Sequence, residues 1–513
     1  MATPTEKPSI SKGGTDFDKI VNLCLRRGLL FPNSDIYGSM AGFFDYGPYG
    51  VELKRNIEGS WWKNFVQDRA DIVGMDGTII SHPMVWKASG HADAFNDPLV
   101  DCKKCKSRFR ADHLVEDELK ISVDGLSLEA LQELINKHKL VCPKCKGELT
   151  VVRVFNLMFR THVGPVEDES SIAYLRPETA QLIFADFKLI QASSRKQLPF
   201  GIAQIGKAFR NEIAPRNFVF RCREFSQMEI EFFIHPAKIN DCPLLGAQHR
   251  ELEAFFYTAE MQEKQTQHQK MKIGDALKKG IIKTQWHAYW IAEIVKWFIS
   301  LGLRPENMRV RQHVPTELSH YSTETWDLEY NYPWGWKELQ GIANRTDFDL
   351  KQHAKFSGKD LSYFDVATGE KVIPYVIEPS TGVDRAFLTV LLDAFEERKE
   401  KEGSAIVLHL SPKIAPVKVA VFPLMKKDGL GEKAREIFES LKKMFATEYD
   451  EAGSIGKRYA RHDEIGTPYC ITVDYETLEE GASRGTVTVR ERDSGKQERV
   501  PIETLGAFLA QRL

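Results

Sequence analysis

One stretch constrains this chain more than any other. From Gly201 to Ile234 it runs GIAQIGKAFRNE, a polar Pro-containing turn at APRN, and then FVFRCREFSQMEIEFFI. Two runs rich in apolar and aromatic residues, joined in this way, predict an antiparallel hairpin with a long connection. Residues two apart on a strand share a face, so Arg210 and Glu212 are expected to point together. An arginine grips a carboxylate or phosphate through a two-pronged, permanently charged fork. Arg221 and Phe225 on the return offer a second charge and a stacking surface for a purine nucleotide. Taken alone, the tetrapeptide Phe209–Glu212 is most simply one rung of a cross-strand ion-pair ladder. The whole spaced set, ending at Glu229, is a different matter.

Around the hairpin the chain is too long for one core. Its 513 residues predict two or three domains. With 42% hydrophobic and 28% charged residues the composition is that of a soluble globular protein. No run of some twenty apolar residues predicts a membrane span, and the polar N-terminus lacks the apolar middle of a signal peptide. A cytoplasmic protein with a mobile tail over 1–13 is the expectation. The net charge of −2 rules out a global basic field, so an RNA partner would have to meet local basic patches. Lys54 to Arg69 places Ile57, Trp61 and Phe65 on one helical face. Two long helices are expected between Leu244 and Leu303, with Phe255, Phe256, Trp286, Trp290, Trp297 and Phe298 as a packing face. Strands are expected at WGWKELQGIANR and KVIPYVIEPS, the latter entering a helix that ends in a charge run near Gly403. Beyond Pro412 and Pro416, alternating strands and helices predict a separate α/β domain of about a hundred residues.

Four of the eight cysteines form two knuckles, Cys102-Lys-Lys-Cys105 and Cys142-Pro-Lys-Cys145. That spacing suits one tetrahedral structural Zn²⁺. Reduced unmetallated thiols and redox pairs are the alternatives.

The spaced hairpin set resembles motif 2 of the class II aminoacyl-tRNA synthetases. The helix near Trp61 followed by DIVGMDGTIISHPMVW, with Pro83 closing a strand, resembles motif 1, which makes the dimer interface in that class. Gly382-Val-Asp-Arg385 resembles motif 3. The flanking segments FDYGPYGVELKRNI, FNLMF, LRPETAQ, GKAFRNEIAPRNF, GWKELQGIANRTDFDL and EPSTGVDR are together similar to glycyl-tRNA synthetases of the single-polypeptide, homodimeric type. The resemblance spans nearly the whole chain.

It implies an α/β protein: an α+β, class II synthetase-like catalytic core built on an antiparallel sheet, with a C-terminal α/β anticodon-binding domain. The core would occupy 14–410, with a Cys-rich insertion at about 98–150 and a helical insertion at about 236–330. The anticodon-binding domain would follow at 411–513. The implied reaction is activation of glycine with ATP to glycyl-adenylate, then transfer to tRNA(Gly). Arg210, Arg385 and Glu229 are the implied catalytic residues. Glycine would be bound by Glu178, Glu229, Glu378, Ser380, Arg110, Phe225, Gln227 and Gly382. ATP would be bound by Arg210, Asn211, Glu212, Phe220, Arg221, Phe225, Glu338, Leu339, Gly382 and Arg385, with Glu338 holding Mg²⁺.

This layout makes chemical sense. Glycine has no side chain, so its affinity must come from its ammonium and carboxylate, and converging carboxylates supply charge-assisted hydrogen bonds. Empty, they repel one another, which predicts a raised pKa for at least one. No editing domain is expected, because nothing smaller competes. In the C-terminal domain Lys457, Arg458, Arg461, His462, Arg490 and Arg492 are candidates to grip tRNA phosphate. Rival readings are a sister synthetase for another amino acid, a non-catalytic paralogue, and an unrelated nucleotide-binding protein.

Overall fold

The hairpin lies within a nine-stranded sheet, in the computed structural model of residues 16–513 other than 122, 124–125, 319–321, 367 and 400–402. The expected tail at 1–13 falls outside the described residues. Phe200–Phe209 and Glu224–Ile234 pair antiparallel with Phe200 opposite Phe233 and Phe209 opposite Glu224. The remaining strands follow on either side. Ile72–Gly74 runs parallel to the first hairpin strand. Beyond the second come Tyr375–Gly382, Gly335–Thr346, Glu324–Tyr332, Met308–Gln312, Glu253–Tyr257 and Gln269–Lys272.

Helices cover both faces. On one side Pro48–Trp62, Gln285–Ser300 and Val383–Ala394 bury Trp61, Trp290, Trp297 and Phe387 against Phe232 and Ile230. On the other, Ala180–Ser194 and Phe348–Ser357 pack Phe184, Phe187 and Leu350 on Phe200 and Phe233. The expected Ile57, Trp61 and Phe65 stripe is fully buried. Its helix begins six residues earlier than read, at Pro48, whose fixed φ suits a first turn.

Four local expectations fail. Only one long helix, Gln285–Ser300, lies between Leu244 and Leu303. Glu253–Tyr257 buries alternate residues, Ala254 and Phe256, and joins the main sheet as a strand. Its surroundings are rich in Glu, Gln and Ala, which favour helix, but pairing in the sheet overrides that preference. The stretch 236–330 is therefore not a helical insertion; it supplies four strands and an edge of the central sheet. Likewise Phe395–Lys399 is not the end of the preceding helix but a strand paired with Ser404–Leu408. Pro83 does not close a strand; it sits at the first turn of the helix Pro83–Ala88.

A smaller three-stranded sheet, Arg108–Arg110, Asn96–Asp101 and Arg153–Asn156, carries the helices Ala111–Leu119 and Leu128–Lys137 around its own core of Val100, Leu114, Val115, Leu131 and Ile135. The C-terminal region forms a five-stranded mixed sheet, with Val419–Pro423 between the parallel strands Thr447–Tyr449 and Tyr469–Val473. It has a separate core of Val421, Ile437, Ile471, Val487 and Leu509. Among the described residues no helix is long and apolar enough to cross a membrane.

Candidate active site

Strand alternation builds the site. Gln227, Glu229 and Glu231 lie on one face of the second hairpin strand. Glu229 stands opposite Ser380, and Ser380 opposite Gly341, so three neighbouring strands carry the floor. Above it lie two contiguous lobes that share Arg210, Gln227, Glu338 and Ser380.

The first lobe, about 600 Å³, is lined by Arg210, Glu212, Phe220, Arg221, Phe225, Gly382 and Arg385. Arg210 and Glu212 lie just past the end of the strand, so their common facing does not come from strand alternation. Arg210 donates from Nε to the Pro177 carbonyl (3.0 Å) and stacks over Phe225, 5.3 Å from its ring centre. Arg221 Nε lies 3.0 Å from the buried Glu212 carboxylate. Arg385 packs over Phe220 at 4.7 Å and bonds both the carbonyl and the carboxylate of Glu338 (3.1 Å each). The Glu338 carboxyl loses some solvation, yet Arg385 holds it below its usual range. Three guanidinium groups and two rings around one space suit a phosphorylated purine.

The second lobe, about 730 Å³, is acidic: Glu178, Glu229, Glu338, Asp327 and Glu378 line it. Glu229 and Glu378 are nearly fully buried, at 1% and 8% exposure, and a third carboxylate, Glu231, lies beneath them at 0%. Oxygens of these three approach within 4.8 Å of one another. Burial first, then the neighbouring acids, push Glu229 up and Glu231 and Glu378 well up. Glu178 goes the other way: burial opposes ionisation, but His91 at 3.4 Å and Arg345 together hold it below the usual range. Arg345, itself 2% exposed, forks onto Glu378 (3.0 and 3.1 Å) and onto Asp349 (2.8 and 2.9 Å). Gln227 donates to Ser380 (2.7 Å) and Glu229 (3.1 Å), and the Thr179 hydroxyl donates to Glu229.

Arg176 braces the loop that carries Glu178. Fully buried, it donates to the carbonyls of Lys207 (2.6 Å) and Gly77 (2.7 Å). Gly206 makes room for it, since a Cβ there would stand 2.1 Å from Arg176 Nη2.

Three expected contacts are not assembled. Arg110 lines neither lobe; it is held by Asp97 (2.8 Å) of its own small sheet and by Asp112 (2.5 Å) of the helix that follows. Asn211 also stays outside the lining, with its N–H on the Leu157 carbonyl. The Leu339 side chain is buried on the opposite face, and its carbonyl accepts from Thr381. The sequence reading missed Arg345, His91, Glu231, His313, Asp327 and Asp384. Only Arg345 left a signal, the Arg-x-x-x-Asp spacing of ANRTDFD. Asp384 accepts from Tyr46 (2.6 Å) and from the Ser226 N–H (2.7 Å), locking the start of the Val383–Ala394 helix to the hairpin.

The four cysteines do converge. Sγ of Cys102 and Cys145 lie 3.4 Å apart, and those of Cys105 and Cys142 3.6 Å apart. A tetrahedral ion with Zn–S bonds of about 2.3 Å needs roughly 3.8 Å between sulfurs, so the set fits with a small expansion. A Cβ on Gly147 would stand 3.0 and 3.2 Å from two of the sulfurs. In the C-terminal sheet most of the candidate cations are already engaged. Arg458 is buried with its guanidinium on the Glu451 and Gly453 carbonyls; Arg492 is buried on Gly466 and Leu410. Arg490 pairs with Asp463 and Arg461 with Asp450. Burial pushes the His462 imidazole down to about 4. Lys457 remains exposed.

Similarity to known proteins identifies the family. Residues 162–395 match the tRNA synthetase class II core domain (G, H, P, S and T), and residues 418–512 match the anticodon binding domain. Similar proteins include a glycine–tRNA ligase of Caldanaerobacter subterraneus, 49% identical over 502 residues (97% of this chain, 98% of that one). Another, from Geobacillus thermodenitrificans, is 48% identical over 503 residues, covering 97% of each. A solved Giardia lamblia prolyl-tRNA synthetase in complex with prolyl-adenylate shares the fold, with TM-score 0.56 and 17% identity over 96% of this chain and 75% of that one. With near-half identity along almost the whole length of such relatives, this chain belongs to the glycine–tRNA ligase family of class II aminoacyl-tRNA synthetases.

Proposed function

We propose that this chain activates glycine with ATP to glycyl-adenylate and then transfers glycine to tRNA(Gly). The observation that carries this reading is the meeting of Glu178, Glu229 and Glu378 beside Ser380, next to Arg210. The acids take the ammonium, which leaves the glycine carboxylate directed at the α-phosphate in the arginine lobe. Arg210 binds that phosphate and the developing charge, and Arg385 the distal phosphates, so catalysis rests on positioning and neutralisation. Mg²⁺ adds charge neutralisation at the triphosphate when bound, and the half-exposed Glu338 is the residue that would hold it. The purine lies against Phe225, with Phe220 and Arg221 closing the lobe. Gln227, bonded to Ser380 and Glu229, fixes the wall beside the glycine Cα. An added methyl there costs roughly 1–3 kcal/mol.

Beyond the reaction, we assign the four cysteines to a structural Zn²⁺ and the region from about 411 to the anticodon, with Lys457 free to meet phosphate. A cytoplasmic homodimer, paired through the motif 1 segment, completes the reading.

ATP–pyrophosphate exchange against each of the twenty amino acids is the test. Exchange with glycine alone supports the reading. Exchange with a different amino acid assigns the chain to another substrate, and none at all removes the catalytic reading.

A further inference from the structure

Part of the acidic lobe serves neither the nucleotide nor the ammonium. The lobe's volume of about 730 Å³ includes its mouth open to solvent; about 220 Å³ of it admits the centres of water-sized groups, still more than one glycine needs. A second reactant can therefore enter beside it. The wall on this side carries His313, Thr325 and Asp327. His313 Nε2 lies 2.7 Å from Asp327 Oδ2, and its backbone N–H donates to the Thr325 carbonyl (3.0 Å). In the tautomer that donates from Nε2 to Asp327, Nδ1 keeps its lone pair, and among the described residues no hydrogen bond reaches it. A carboxylate-held imidazole opening on a reactant space is the arrangement that general-base chemistry uses.

The transfer half of the reaction needs such a base, because its nucleophile is a neutral hydroxyl. We propose that His313, oriented by Asp327, takes the proton from the terminal ribose hydroxyl of tRNA as glycine is transferred. This rests on the reading of the cleft as the glycyl-adenylate site. The hydroxyl oxygen bonds to the glycyl carbonyl carbon, and the bond from that carbon to the AMP phosphate oxygen breaks. AMP leaves with the electron pair. The hydroxyl proton goes to Nδ1, the bond to Asp327 stabilises the imidazolium, and the proton passes on to the departing phosphate or to water.

The charged groups around His313 are Asp327 on strand Glu324–Tyr332, Arg311 on Met308–Gln312, Glu338 on Gly335–Thr346, and Glu317 in the following loop. Arg311 is held by Glu317 (2.5 Å) and lies 3.9 Å from Asp327. Burial opposes the imidazolium, but the Asp327 bond and charge outweigh it and hold His313 above its ordinary range.

The test separates the two half-reactions in the full chain. For His313→Gln and His313→Ala, glycine-dependent pyrophosphate exchange should stay within about threefold. Single-turnover transfer from preformed glycyl-adenylate to tRNA should fall by roughly 10²–10³-fold. In the wild type the transfer rate should rise with pH and level off as one group loses its proton. That rise should vanish in His313→Gln, and in Asp327→Asn its midpoint should move to lower pH. Exchange and transfer falling together would show a purely structural role and overturn the proposal. So would unchanged transfer, or a pH rise that survives in His313→Gln. Absence of glycine-dependent exchange in the wild type would instead bring down the reading of the cleft, and this proposal with it.

Discussion

Two places in this molecule gather ligand-bearing side chains, and they solve opposite problems. The cysteine knuckles sit on a small sheet of their own, with Cys105 exposed and Cys145 half-buried. The glutamates 229, 231 and 378 sit on adjacent strands of the central sheet, wholly enclosed. A four-sulfur cage is neutralised by a small dication at short range and needs little else. Buried carboxylates at similar spacing are held by protons, by Arg345 and by hydrogen bonds from Gln227 and Thr179. In the proposed reading, what they leave available is room for one more cation of ammonium size. The difference teaches that ligand count alone does not identify a metal site; burial and the pre-existing countercharge decide what is bound.

Breaking the countercharge should have the largest effect. Arg345→Leu leaves Asp349 and Glu378 buried without their cation, a loss of about 3–5 kcal/mol. Thermal unfolding followed by circular dichroism should show a lower midpoint, and glycine-dependent exchange should fall below detection.

Next is the knuckle side. One Zn²⁺ per chain should be found by elemental analysis of the purified protein, and Cys142→Ser should lose it. Hydrogen exchange should then quicken across about 98–150 and leave the central sheet protected. A main-sheet response would mean that the two regions are coupled after all.

The buried acids also predict a pH dependence. The Glu231 pKa is raised, so its contribution to stability is complete below the ordinary carboxylate value of 4.5 and is lost as pH rises through the raised value. Glu231→Gln should therefore narrow the fall in unfolding midpoint toward alkaline pH, by about 1.4 kcal/mol for each unit the pKa is raised. An unchanged pH profile would show that Glu231 is not the neutral group.

The smallest effect expected is that of Gly206→Ala. The added Cβ meets the guanidinium of Arg176 and moves the Glu178 loop, at a cost of about 1–3 kcal/mol. Its KM for glycine should rise more than its KM for ATP.

How much of this was legible beforehand follows from range. The hairpin, the Trp61 stripe and the Cys knuckles are local patterns, and each appears where its spacing puts it. Glu178, Glu229 and Glu378 were found through family resemblance, since nothing local in their segments says that three distant strands and loops converge. His313 and Asp327 escaped because their meeting arises only from strand register, whereas Arg345 left one local trace, its spacing to Asp349, and only its reach to Glu378 depends on register. The strand Glu253–Tyr257 escaped for the complementary reason: its composition favours helix, and only its place in the sheet makes it extended. In the C-terminal domain, a cluster of arginines read as a phosphate grip turned out mostly to bind backbone carbonyls and aspartates: Arg458 and Arg461 lie on the helix Ile455–Asp463, and their partners come from segments distant enough in sequence to leave no local pattern.

The measurement closest to the central claim is the KM for glycine and for ATP in pyrophosphate exchange, wild type against Glu229→Gln. The substitution keeps the shape and removes the ionisable carboxyl that the proposed ammonium contact uses. The account predicts a rise of roughly 10²-fold or more in the KM for glycine, with the KM for ATP within about twofold. Equal changes in both constants, or none in either, would contradict it.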